Sequence, residues 1–180
     1  TDTTNLVITF RYSASDPDGN STLKQGFIRA NDGAWSEIDL NQKLISIRPS
    51  DTRAIGLGNA DVFYGLSSTP DLTIDGFVND GDNIIQLKVT DIANAESAID
   101  SADSIYVKPQ SADLLVVGGH NASITAQYKQ LVKDNYVGAD FVNFAGNSGL
   151  NQPKFWEPTF SLMTNSYDKV FFHSDEANFS

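Results

Sequence analysis

Both histidines of the chain, His120 and His173, stand among residue types that do chemistry. His120 follows Gly118-Gly119 and precedes Asn121 in the stretch SADLLVVGGHNAS, residues 111–123. His173 precedes Ser174, Asp175 and Glu176. An imidazole beside a carboxylate can move protons near neutral pH or ligate a metal. An apolar run ending in glycines before a helix can also present backbone amides to a phosphate or carboxylate. The spacing narrows these options. A dinucleotide turn needs G-x-G-x-x-G, and no glycine fills its third place here; a Walker A loop needs G-x-x-x-x-G-K-[ST], which is also absent. Ser174 lies outside a G-x-S-x-G context, so a hydrolase elbow is unsupported. Residues 118–123 therefore read as a strand-to-helix bend, either structural or facing a ligand.

Asp16, Asp18 and Asn20 offer side-chain oxygens at alternating positions, the arrangement of a Ca²⁺ loop. An EF-hand needs Glu at the twelfth position, which is Phe27, so only a looser Ca²⁺ site or a self-bonded Asp/Asn turn remains. No other cofactor is evident. Trp35 and Trp156 read as packing residues or sugar-stacking platforms.

Charge limits the partners. The 180 residues carry 23 acidic and 12 basic side chains, a net charge of −11 with no basic cluster. Nucleic acid and anionic membrane surfaces are poor partners for such a chain, whereas small cations and neutral ligands such as sugars are compatible with it. No apolar stretch reaches the roughly 18 residues of a spanning helix. There is no cysteine, hence no disulfide and no thiolate nucleophile or ligand. Thr1 opens the chain without a visible signal peptide, so a processed or excised piece is expected. The cysteine-free, Asn/Asp/Ser/Thr-rich composition suits a bacterial exported protein.

The elements that position these residues differ along the chain. Up to residue 109, short strands alternate with turn clusters. Leu6–Tyr12, Gly26–Ala30, Ala34–Ile38, Leu44–Ile47, Ile84–Thr90 and Ser104–Lys108 are the strand candidates. Asn31-Asp32-Gly33 marks a hairpin, and residues 54–70 read as loop with at most one short strand. This pattern predicts an all-β sandwich. From residue 110 the order becomes β-α-β-α-β. Leu114–Val117, Asp140–Phe144 and Lys169–His173 are strands, and a helix capped by Asn121 or Ser123 carries Ile124, Tyr128, Leu131 and Val132 on one face. A second, short helix carries Phe160 and Met163. That order predicts a parallel sheet with right-handed crossovers. Its strand carboxyl ends gather the ligand-facing candidates Gly118, Gly119, His120, Asn121, Asn143, Asn147, His173, Asp175 and Glu176. Three strands and two helices in about 70 residues cannot cover both faces of such a sheet well, so an incomplete α/β segment is expected.

The turn SASDPDGN, the Trp-bearing hairpin FIRANDGAWSEI and the exit VNDGDNIIQLKVTDIANAES resemble immunoglobulin or fibronectin type III-like domains of bacterial cell-surface proteins. ADLLVVGG and SYDKVFFHSDE resemble the first and third strands of flavodoxin-like, class I glutamine amidotransferase-like domains. The resemblance implies a sandwich over 1–109, the start of a flavodoxin-like domain over 110–180, and an extracellular or surface location on a Gram-negative bacterium. In working amidotransferases the Cys nucleophile lies after the third strand, which here falls past Ser180, so no catalytic residue carries over. The expectation is a non-catalytic module that binds or assembles with a protein or glycan. The alternatives are part of a secreted hydrolase or amidotransferase-like enzyme, and a calcium-stiffened spacer.

Overall fold

The computed structural model describes residues 2–143 and 157–174. They are mostly β. The strands are β1 (Asp2–Asn5), β2 (Ile8–Arg11), β3 (Leu23–Ala30), β4 (Ser36–Ile38), β5 (Leu44–Pro49), β6 (Gly56–Tyr64) and β7 (Leu72–Asn79). There follow β8 (Gly81–Asn83), β9 (Ile85–Asp91), β10 (Asp100–Ser101), β11 (Ile105–Lys108) and β12 (Leu114–Gly119). The helix α1 (Ala122–Asn135), β13 (Asp140–Asn143), α2 (Thr159–Thr164) and β14 (Lys169–Ser174) complete the order.

Two four-stranded antiparallel sheets, β2-β5-β6-β7 and β10-β9-β3-β4, share one core. Ile8, Ile45, Ile47, Val62, Ile74 and Phe77 meet Ile28, Ile38 and Ile85 there. Alternation explains the packing: along β3, Gly26, Ile28 and Ala30 are buried while Phe27 and Arg29 face outward. A smaller sheet, β1-β11-β8, sits beside them.

Two expectations need correction in this part. The strand expected from Leu6 to Tyr12 forms as β2 from Ile8 to Arg11, preceded by a separate strand, β1, that was not expected. Leu6 adopts a positive φ of 61°, so β1 pairs in parallel with β11 while β2 joins β5 in a different sheet. Residues 56–64, expected as loop with one short strand at most, form a nine-residue strand that lies between β5 and β7. Its Gly and Asn residues weaken the local strand signal, and a register shift between Gly58 and Ala60 breaks the alternation. Pairing on both sides overrides that weak propensity.

The parallel sheet has the order β13-β12-β14. Its central strand is buried from Leu114 to Gly118, as a strand covered on both faces should be. On one face Leu115, Val117 and Val142 pack with Leu162, Met163 and Tyr167, and with Leu6, Val7 and Phe63 of the preceding sheets. This core spans the boundary at residue 109. Polar contacts reinforce it: the Thr159 hydroxyl donates to that of Thr9 at 2.6 Å, which shares a hydrogen bond with Ser46 at 2.9 Å. Arg48, lying over the Phe63 ring, donates to the Leu162 carbonyl at 3.3 Å. Arg53 also pairs with Asp113.

On the other face α1 is the cover, and it departs from the expected amphipathic pattern. Thr125 is its only fully buried residue, and Leu131 is 56% exposed.

Because one core serves both parts, truncating it should weaken both. Leu162→Ala is expected to cost about 2–5 kcal/mol. Hydrogen exchange in urea should show β5 and β12 amides losing protection together; loss confined to β12 would contradict a shared core.

Candidate functional site

The glycine pair does not form a loop. Gly118 and Gly119 are the last rungs of β12, with Gly118 paired to both Asn143 and His173, and Gly119 to Ser174. The bend comes one residue later, at His120. A Cβ on Gly118 would stand 2.9 Å from His173 Cε1 and 3.2 Å from Asn143 Oδ1. A larger residue here would force the imidazole lying across the strand to shift.

Asn121 is the N-cap of α1, its Oδ1 accepting the Ile124 amide at 3.1 Å. The Thr125 hydroxyl donates to the His120 carbonyl at 3.0 Å. Asn143 Nδ2 reaches the same carbonyl at 3.2 Å and Thr125 Oγ1 at 3.1 Å. A polar clamp thus ties the end of β12, the first turn of α1 and the end of β13.

The two histidines, each 7% exposed, stack in this clamp. Their ring centroids are 5.1 Å apart with planes 12° from parallel. Tyr128 of α1 stacks on His173 at 4.0 Å and lies 5.4 Å from His120. Burial pushes the His173 pKa down, and His120 adds to the effect. His173 Nδ1 is buried and has no hydrogen-bond partner among the described residues.

This geometry brings together Gly118, Gly119, His120, Asn121, Asn143 and His173 as the strand-end reading expected. Asn147, Asp175, Glu176 and Trp156 lie outside the described residues. Thr125 was not foreseen. Its signal is a polar residue between Ile124 and Tyr128 on the helix face turned to the sheet. Imidazole lone pairs lie in the ring plane, so near-parallel stacked rings do not aim them at one ion. Among the described residues no group of three His, Cys, Asp or Glu side chains is placed to hold a metal.

Away from this cluster, Asp16 Oδ1 accepts the Asp18 amide at 2.8 Å, and Asn20 Oδ1 accepts the Asp16 amide at 3.2 Å. Two of the oxygens available to a cation thus already serve the turn. Trp35 is half-buried, with the Arg29 guanidinium 4.6 Å and the Lys88 ammonium 5.1 Å from its ring centroid. No protein-family model, curated protein or solved structure matches the chain.

The confinement of the His173 ring can be measured directly. Gly118→Ala should displace that ring and destabilise the chain by about 1–3 kcal/mol, read from chemical denaturation. An unchanged midpoint would show that the imidazole is not confined. A self-bonded turn at 16–20 should leave the melting temperature unchanged in EDTA, and a fall restored by Ca²⁺ would identify a cation site.

Proposed function

We propose that this chain is a non-catalytic binding and assembly module of a bacterial exported or cell-surface protein. In this reading an immunoglobulin or fibronectin type III-like sandwich presents a flavodoxin-like α/β unit to a protein or glycan partner. The observation that carries it is the use of the two histidines. Both fill the space between α1 and the sheet, stacked on each other and on Tyr128. A general base instead needs a nitrogen within reach of the proton it removes. Val170, Phe171 and Phe172 on β14 are 37%, 41% and 46% exposed, which supports contact with an apolar partner surface.

The enzyme reading draws on the strand order β13-β12-β14, since open parallel sheets take ligands at their carboxyl ends. In that reading the chain belongs to a secreted hydrolase or amidotransferase-like enzyme, with its nucleophile supplied beyond residue 180.

The two readings separate experimentally. The purified chain is assayed on chromogenic esters, amides and glycosides, and titrated with soluble glycans while the amide signals of Gly118, Gly119 and His173 are followed by NMR. Saturable shifts without turnover are expected. Turnover by these 180 residues would overturn the binding-module reading.

A further inference from the structure

Among the described residues, α1 meets the parallel sheet through the clamp of Thr125 and Asn143 on the His120 carbonyl and through ring contacts of Tyr128 with His173, His120 and Phe171. Lys129 lies over the Phe141 ring at 5.5 Å, and Lys169 donates to the Tyr136 hydroxyl at 2.7 Å. The Tyr128–His173 stack, at 4.0 Å, is the tightest of these ring contacts. We propose that the His120–His173–Tyr128 stack is a proton-sensitive clasp, which holds α1 on the sheet at neutral pH and releases it when His173 takes up a proton.

The unpartnered Nδ1 of His173 sets the cost of protonation. A neutral imidazole has one N–H and one lone pair, and the nitrogen without a partner carries the lone pair at least cost. Proton uptake from solvent would place an N–H at Nδ1, where no described acceptor stands. Leaving a buried charged donor unmade is far more costly than leaving a lone pair unmade.

The surroundings offer little compensation. Among the described residues, the ring is stacked by Tyr128 from α1 and His120 from the exit of β12, and it lies over Gly118 of β12. Phe171, on the same strand, lies 6.0 Å away. None is anionic at neutral pH, and the nearby imidazole of His120 disfavours a second positive charge. The Tyr128 face would attract an imidazolium, and this attraction opposes release. Burial and the neighbouring histidine act in the opposite direction and lower the His173 pKa. Lifting α1 exposes Nδ1 to water and removes the penalty.

The pH window follows from that direction. A histidine depressed in the folded state contributes stability that is complete above its unfolded value, about 6.5. That contribution is lost as the pH falls through the lower folded value. Release therefore belongs to mildly acidic conditions.

The test is hydrogen exchange on the whole chain at pH 7.5 and 5.0, corrected for intrinsic rates. Amides of α1 from Ala126 to Asn135 should lose about tenfold protection relative to β5 and β6, equivalent to about 1.4 kcal/mol of opening free energy. His173→Phe keeps a stacking ring without a titrating nitrogen and should abolish the pH dependence. Equal dependence in the variant, or none in the native chain, would overturn the proposal. Should His173→Phe not fold, an NMR titration of the native chain decides. The His173 ring signals and the α1 methyl signals should move with one midpoint, and an imidazole that titrates while α1 stays in place would refute the clasp.

Discussion

The three parallel strands β12, β13 and β14 need cover on both faces, and two helices of about two and four turns cannot provide it equally. Everything about the candidate site depends on how that shortage is met. On one face the short helix α2 is supplemented by the preceding sheets, which lend Leu6, Val7 and Phe63 to the same core. The left-handed turn at Leu6 makes this possible. It ends one sheet and starts another, and the two residues at the break point their side chains at the parallel strands. Among the described residues the opposite face is covered by α1, and a polar and aromatic cluster stands where apolar packing would be expected.

The two ends of the parallel sheet are also built differently. At the start of β13, Asp140 accepts the Ser111 amide at 2.8 Å and the Tyr167 hydroxyl at 2.9 Å. Burial and the Asp140 charge push the Tyr167 phenol well up, so it remains a proton donor to that carboxylate. Gln110, buried in the linker, accepts from the Thr52 hydroxyl at 2.6 Å and donates to the Ala112 carbonyl at 2.9 Å. These bonds secure the entry to β12 on the sandwich side. At the exit, the described groups are the His120 carbonyl, the Thr125 hydroxyl, the Asn143 amide and the two stacked imidazoles. The entry thus carries charge-assisted hydrogen bonds to the Asp140 carboxylate.

Much of this was legible in the residues. Leu44–Ile47, Ile84–Thr90 and Leu114–Val117 carry enough β-branched or aliphatic side chains to declare themselves as strands, and Asn121 announces the helix by its capping chemistry. The strand-end rule gathered His120, Asn143 and His173 because it needs only the order of elements. What stayed hidden depends on pairing between distant segments. Nothing local to residues 56–64 says that two neighbours will hold them extended. Nothing near Gly118 says that a side chain 55 positions later, His173, will lie across it. The stack on Tyr128 needs both the register of β12 with β14 and the rotation of α1, neither of which a periodicity encodes.

The same dependence explains why the histidines read so differently before and after their geometry is known. As residue types beside glycines, asparagines and carboxylates they suggest proton transfer or a metal. In the fold, Gly118 opens a gap over the central strand and His173 fills it, with Tyr128 closing it from above. A phenylalanine would fill that gap with no orphan nitrogen and no lowered pKa, and with better packing at neutral pH. The chain instead holds an imidazole whose neutral form fits and whose charged form does not. The property that distinguishes this position from an ordinary core position is therefore its proton equilibrium, and the element that equilibrium acts on is the helix resting on it.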